Sequence, residues 1–148
     1  MASVSTYLNF PGNTEAAFNF YKSVFGTEFS SDGIVRFSSV PPQEGTPPMA
    51  EADLNLVMHV ALPIVGGHSI MGTDATESMG FKVQFGNNSY ICLSPDTKAE
   101  TKRLFDALSV GGKVEMELQE MFWGSLFGSF TDQFGVQWMF DCVEPPKF

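Results

Sequence analysis

Gln119–Asp141 reads QEMFWGSLFGSFTDQFGVQWMFD, and its reading decides the fold. Two apolar, aromatic runs, Leu126–Thr131 and Val136–Asp141, flank Asp132, Gln133 and Gly135. Such runs predict two antiparallel strands, and Gly135 can take the positive φ that a tight connection needs. Phe122, Trp123, Phe127, Phe130, Phe134, Trp138 and Phe140 place both tryptophans in this hairpin and its approach. So much apolar surface must be buried or must line a cleft. Along the second strand Gln137, Met139 and Asp141 share one face, and Trp138 and Phe140 share the other.

Upstream of the hairpin, Lys113–Leu118 (KVEMEL) alternates apolar and polar and predicts a further strand. Gly111-Gly112 ends a helix whose apolar face carries Leu104, Phe105 and Leu108. Thr97-Lys98-Ala99-Glu100 has the S/T-x-x-E spacing of a capping box at its start. Ser89–Leu93 (SYICL) precedes it as a strand.

The same order stands in the first half. Val4–Phe10 reads as a strand ended by Pro11-Gly12. Asn13 or Thr14 can cap a helix with Glu15 in its first turn, where negative charge suits the dipole. Ala17, Phe20, Tyr21 and Val24 recur at helical spacing, and Gly26 is a natural stop. Strands are expected at Ile34–Ser39, after a turn at Ser31-Asp32-Gly33, at Leu56–Ile64, and at His68–Thr73 beyond a Gly66-Gly67 turn. Val40–Asn55, rich in proline and acids, reads as a surface loop, either a lid or a disordered connection. Asp74–Asn88 reads as the link between halves. The helix starts near Asn13 and Thr97 lie 97 − 13 = 84 residues apart, which suits an internal duplication. The chain is therefore α+β: two βαβββ modules, about 1–79 and 80–148, in one domain of 148 residues.

Composition narrows the function classes. The chain is 43% hydrophobic and 17% charged, which supports a packed core over disorder. Its formal net charge is −9, without a basic stripe, so neither nucleic acid nor an anionic membrane is an expected partner. No apolar run approaches the ~20 residues that span a bilayer, and MASVSTYLNFPGN lacks the features of a signal peptide. Cys92 and Cys142 have no metal spacing and read as two buried free thiols in a reducing cytoplasm, with a disulfide between them as the alternative.

Four segments carry a resemblance over essentially the whole chain: TYLNFPGNTEAAFNFYKSVFG, VMHVALPIVGGHSIMGTD, LFDALSVGGKVEMELQEMFWG and FGSFTDQFGVQWMF. With the repeated βαβββ order they resemble the vicinal-oxygen-chelate superfamily of glyoxalase, bleomycin-resistance and dioxygenase folds, and within it the PhnB-like, demethylubiquinone-methyltransferase-like branch. The resemblance implies paired curved mixed sheets around a cleft, and a homodimer. Metal-dependent relatives carry four ligands on the first and last strands of each module. Here the equivalent positions are Thr6, Ser89 and Met139, and Ser69–Thr73 offers no His or carboxylate. These are poor donors for a divalent metal, so no cofactor is expected. Methyl transfer finds no support either, because no G-x-G nucleotide loop follows the first strand.

His59 sits mid-strand in an apolar run, where the family pattern often has a histidine. If Val57, His59 and Ala61 face the cleft, His59 is a candidate general base or anion holder. The alternative is a core histidine bonded to backbone. His68, beside a turn, reads as exposed. Glu120, Phe122 and Trp123 can clamp a flat or cationic ligand, or Trp123 can plug the barrel end or a dimer contact. The Gln137/Met139 face lines the cleft in the resemblance, and Met139 there implies an apolar, soft-walled pocket. The reading that follows is a small-molecule-binding protein with a metal-free cleft. The alternatives are a metal-dependent lyase, isomerase or dioxygenase, through a different strand register or a non-standard site of His59 with Glu120 or Asp141, and a drug-sequestering resistance protein.

Overall fold

Thr6–Phe10 forms β1 and Thr14–Phe25 forms α1, joined by a turn through Pro11-Gly12. Val35–Arg36 is β2, Val57–Pro63 is β3 and Ser69–Asp74 is β4. The computed structural model describes residues 2–41 and 43–145, so Pro42 of the expected loop and residues 146–148 of the second module lie outside the described residues. One compact unit ends at Val83 and a second begins at Gln84, inside the expected link. The second unit repeats the order: β5 (Ile91–Leu93), α2 (Lys98–Leu108), β6 (Lys113–Glu120), β7 (Leu126–Thr131) and β8 (Gln137–Cys142).

Each unit is a four-stranded mixed sheet with one helix. The strand orders are β1-β4-β3-β2 and β5-β8-β7-β6. In both, the first strand runs parallel to the last and every other pair is antiparallel. These are the two βαβββ modules that the repeat implies.

The helices explain which sheet face is the core. In module 1, Phe18 and Tyr21 of α1 are fully buried, and the Phe18 ring meets Phe10 of β1 edge-on at 6.3 Å. Leu8, opposite Gly72 in β4, lies on this face too. A side chain at Gly72 would strike the Phe18 ring, so a glycine is what lets the helix lie close. In module 2, Phe105 of α2 packs on Phe130 at 4.9 Å and on Phe140 at 5.8 Å. Trp138, Phe130 and Phe140 are fully buried.

A carboxylate from beyond the helix holds each helix start. The Thr14 N–H donates to Asp74 Oδ1 at 3.0 Å, and the Val57 N–H donates to Asp74 Oδ2 at 2.8 Å. Asn13 makes no side-chain cap; the nearby charged acceptor takes the orphan donor instead. In module 2 the Lys98 N–H donates to Glu144 Oε2 at 3.1 Å. The expected capping box forms by half. Thr97 Oγ1 accepts from the Glu100 N–H at 3.1 Å, while the Glu100 carboxylate turns to Arg103.

The first module departs from expectation after Ser31-Asp32-Gly33. The strand over 34–39 shrinks to Val35–Arg36, and Phe37–Ser39 is a 3-10 turn. Arg36, the last residue on the ladder, turns its guanidinium to both Glu15 oxygens, at 2.9 and 3.0 Å, and to the Asn55 carbonyl at 2.8 Å. The Val40–Asn55 loop is tied at its base by Phe37 N–H to Leu56 O and Ser38 N–H to Leu54 O. β5 starts later than expected because the Ser89 carbonyl is engaged by the Gln137 side chain. Gly135 takes φ 93° in the β7–β8 turn, as the hairpin requires.

The turn is locked from inside. Asp132 is 4% exposed, and its carboxylate accepts three hydrogen bonds: Phe134 N–H at 2.8 Å, Val136 N–H at 3.0 Å and Trp138 Nε1–H at 2.9 Å.

Candidate functional site

Strand alternation gives each sheet a second face, turned away from its helix. In module 1 this open face carries Tyr7 and Asn9 of β1, Met71 and Thr73 of β4, and His59 and Ala61 of β3. The rings of Tyr7 and His59, from strands separated by β4, stand 6.1 Å apart with 33° between planes. Tyr7 is 52% exposed and His59 half-buried. Val57 is instead fully buried, with its N–H on Asp74. An apolar floor of Met71 and Ala61 with a phenol, an imidazole and an amide around it suits a small organic ligand.

The module 2 open face carries Cys92 of β5, Gln137, Met139 and Asp141 of β8, Phe127, Ser129 and Thr131 of β7, and Met116 of β6. Gln137 is buried there, and its amide nitrogen donates to the Gly86 and Ser89 carbonyls, both at 2.9 Å. That leaves it anchoring the 86–89 segment. Met139 is half-buried and faces outward between Cys92 and Ser129.

The aromatic tip between β6 and β7 is separated from the carboxylate beside it. Glu120 pairs in register with Leu126, on the helix side, and accepts from Lys98 Nζ at 2.7 Å. This hydrogen bond is the main reason the Lys98 ammonium is pushed above its ordinary value. Phe122 is 97% exposed, and its ring meets Trp123 edge-on at 5.0 Å. Trp123 leans on Phe127 at 6.1 Å, toward the open face. Trp123 is 52% exposed, so it plugs nothing within its own module.

Of the positions implied as metal ligands, only Met139 faces the open side of its own sheet. Thr6 lies on the helix side with Leu8 and Phe10, and its Oγ1 is 2.8 Å from His68 Nε2. His68 is thereby half-buried and engaged, against the expectation of an exposed residue. Ser89 precedes β5, and Met139 alone of the three faces the open side. Among the described residues no three His, Cys, Asp or Glu side chains cluster as metal donors. Zn²⁺ or Fe²⁺ does not fit this donor set.

The cysteines differ from one another. Cys142 is buried, its thiol donating to the Pro95 carbonyl at 3.3 Å, whereas Cys92 is exposed; both are free. Burial of the sulfur, and next the Asp141 charge, push the Cys92 thiol up. Tyr90 is raised as well, first by its hydrogen bond to Glu115 at 3.0 Å. Sequence reasoning passed over Tyr7, Asn9 and Met71. The signal was present in β1, because fixing Phe10 on the helix forces Tyr7 outward.

Comparison with known proteins agrees with this architecture. The family model described as 3-demethylubiquinone-9 3-methyltransferase matches residues 2–140. Protein YjdN of Escherichia coli (strain K12) is 34% identical over 148 residues, covering 95% of each chain. The crystal structure of protein PA1353 from Pseudomonas aeruginosa is 33% identical, with a TM-score of 0.82 over 98% of this chain and 100% of that one. A structure titled as a putative 3-demethylubiquinone-9 3-methyltransferase, PhnB protein, from Bacillus cereus is 24% identical, with a TM-score of 0.72 over 96% and 100% of the chains. At 12% identity and a TM-score of 0.63 over 99% and 96% of the chains, a glyoxylase/bleomycin resistance protein/dioxygenase domain from Frankia sp. EAN1pec shares the fold alone.

Proposed function

This chain belongs to the 3-demethylubiquinone-9 3-methyltransferase family, in the PhnB-like branch of the glyoxalase/bleomycin-resistance fold, and from that premise we propose that it binds a small organic molecule without a divalent metal. One observation carries the reading: Tyr7 and His59, from different strands, present their rings together on the open face of module 1, over Met71 and Ala61. Two aromatic rings and a thioether hold a flat or apolar body, and the phenol, the imidazole and Asn9 fix its polar end. His59 is also the group placed to exchange a proton with a bound ligand. In module 2, Met139 with Phe122 and Trp123 supplies a second apolar, aromatic surface of the same character, and the acidic net charge favours a ligand that is not anionic.

The family's name is not carried over as chemistry. β1 runs into Phe10-Pro11-Gly12-Asn13, which is no nucleotide loop. The working unit in this reading is a homodimer, to be checked by sedimentation equilibrium. A cytoplasmic home is part of the same reading, supported by two free thiols. No helix among the described residues is long and apolar enough to cross a membrane.

The test is a thermal-shift screen of a small-molecule library on the chelator-treated protein, repeated on Tyr7→Ala and His59→Ala. A ligand at a hundred times its Kd stabilises the native state by about 2.7 kcal/mol. The expected result is a hit whose affinity falls at least about tenfold in both variants. Hits that bind both variants as tightly as the parent, or that need a divalent ion restored, overturn the reading.

A further inference from the structure

Asp141 of β8 and Phe127 of β7 are direct register partners on the open side of the module 2 sheet. Trp138 and Phe140 of β8 are fully buried on the helix side, so alternation turns Asp141 outward. Paired residues on neighbouring strands have Cβ atoms about 4.5–5.5 Å apart, so the carboxylate and the Phe127 ring stand side by side. Phe127 also meets Trp123, at 6.1 Å between centroids and 76° between planes, and Trp123 meets Phe122 at 5.0 Å and 83°. Three rings thus follow one another edge to face, and the first of them adjoins a carboxylate.

That carboxylate differs from the others in having no partner. Asp74, Asp132, Glu120 and Glu144 each accept from a donor, and Glu115 accepts from the Tyr90 hydroxyl. Among the described residues no cation pairs with Asp141, and its Oδ1 is buried without a hydrogen-bond partner. A carboxylate that has lost part of its water and gained no donor is costly unless positive charge comes to it. Asp141 as a whole is half-buried, and Trp123 is 52% exposed, so a solute reaches both. The face of an aromatic ring attracts a cation held within about 6 Å of its centroid. The net charge of −9 adds to that attraction.

We propose that Asp141, Phe127 and Trp123 form a site for an organic ammonium ion. Its nitrogen sits between the Asp141 carboxylate and the Phe127 ring, and its carbon substituents lie against Trp123. Met139, the next outward residue along β8, adds a thioether wall on the Asp141 side. A small inorganic cation keeps its water and gains nothing from these apolar walls. A neutral molecule of the same shape leaves Asp141 unanswered. The inference gives a ligand class to the second surface of the small-molecule reading, and it stands on module 2 alone.

The probe is phenethylamine, protonated at neutral pH, titrated into the full chain and followed by amide NMR shifts. Phenethyl alcohol is the neutral control of the same size. The amine is expected to bind with a millimolar Kd or tighter, to shift the Asp141, Phe127 and Trp123 amides, and to bind at least about threefold more tightly than the alcohol. Asp141→Asn keeps the side chain's size and should remove that preference. Trp123→Leu, at an exposed position, should weaken the amine about two- to fivefold. No binding at millimolar amine, equal affinity for the alcohol, or an unchanged amine affinity in Asp141→Asn overturns the proposal. Tyr7→Ala and His59→Ala should leave amine binding as it is. A loss in those two variants, with Asp141→Asn unaffected, assigns the amine to module 1; it overturns this site and leaves the Tyr7/His59 reading standing.

Discussion

Replacing Asp132 should unfasten the hairpin that organises module 2. Its carboxylate is 4% exposed and accepts from the Phe134 and Val136 N–H groups and from Trp138 Nε1. A hydrogen bond to a charged acceptor contributes about 1.5–3 kcal/mol, and a buried donor left unpaired costs about 1–3 kcal/mol. The three bonds do not add. Phe134 is half-buried and its N–H can find water, while Trp138 is fully buried and its indole N–H cannot. Asp132→Ala should therefore cost about 3–4 kcal/mol, a large share of the ~5–15 kcal/mol that stabilises a domain. Asp132→Asn keeps one acceptor oxygen for the turn and sets its NH2 against the indole N–H, so about 1–2 kcal/mol is expected. Urea unfolding followed by tryptophan emission reads the right module, because Trp123 and Trp138 both lie in it. With a slope of about 2 kcal/mol/M, the alanine variant should unfold about 1.5–2 M earlier. Trp138→Phe removes the donor itself, so combining it with Asp132→Asn should cost less than the sum of the two singles. A loss below about 1 kcal/mol in Asp132→Ala, or strict additivity in the double variant, would refute the reasoning.

Two further outcomes follow from the same geometry. A side chain at Gly112 would strike the Thr131 carbonyl oxygen and the Asp132 backbone, so Gly112→Ala should lose about 2–3 kcal/mol in urea unfolding; Gly86→Ala, with its nearest neighbour at 3.5 Å, should stay within about 0.5 kcal/mol. Hydrogen bonds from Arg36, and then its charge, hold the Glu15 carboxyl below its ordinary value of 4.5. A depressed carboxylate stabilises the fold above its unfolded value and loses that contribution as pH falls through the folded one, so Arg36→Ala should cost about 0.2–1 kcal/mol more at pH 7 than once Glu15 is protonated, the remainder being the bond to the Asn55 carbonyl; a cost that does not change with pH would refute the Glu15 pairing.

The elements that were legible in the sequence are those whose cause is local. Periodicity and a stop located α1: of Ala17, Phe20, Tyr21 and Val24, all but the half-buried Phe20 are buried, with Phe18 beside them, and Gly26 ends the helix in the left-handed region. The β7–β8 hairpin was legible from its two apolar runs and Gly135. What escaped depends on residues far apart in the chain. β2 gives way to a 3-10 turn at Phe37, and its last residue, Arg36, reaches back to Glu15, a pairing that no local pattern announces. The α1 start is capped from Asp74, sixty positions away, and not by Asn13. Register had the largest consequence. Placing Thr6 in the cleft put Tyr7 on the wrong side, and a strand's two-residue period leaves no intermediate outcome. The partner that fixes it, Phe18 against Phe10, sits on the helix.

The division of labour between the two sheet faces also explains why the site is chemically sparse. The acids that a reader would first nominate for catalysis are consumed by the scaffold: Asp74 and Glu144 hold the helix starts, Asp132 holds the hairpin, and Glu120 holds Lys98. Gln137, on the open face, spends its amide on two backbone carbonyls. What remains turned outward in module 1 includes a phenol, an imidazole, an amide, a hydroxyl and a thioether, and in module 2 a thiol, a thioether, the Phe127 ring, two hydroxyls and the Asp141 carboxylate. Both modules repeat one backbone plan, and each open face carries aromatic, thioether and hydrogen-bonding groups in different proportions. Within each face only side chains change, and the helix-side core of Phe10, Phe18, Phe105 and Phe140 is untouched by the difference. A duplicated fold of this form can therefore vary the groups on its two open faces while the helix-side cores stay the same.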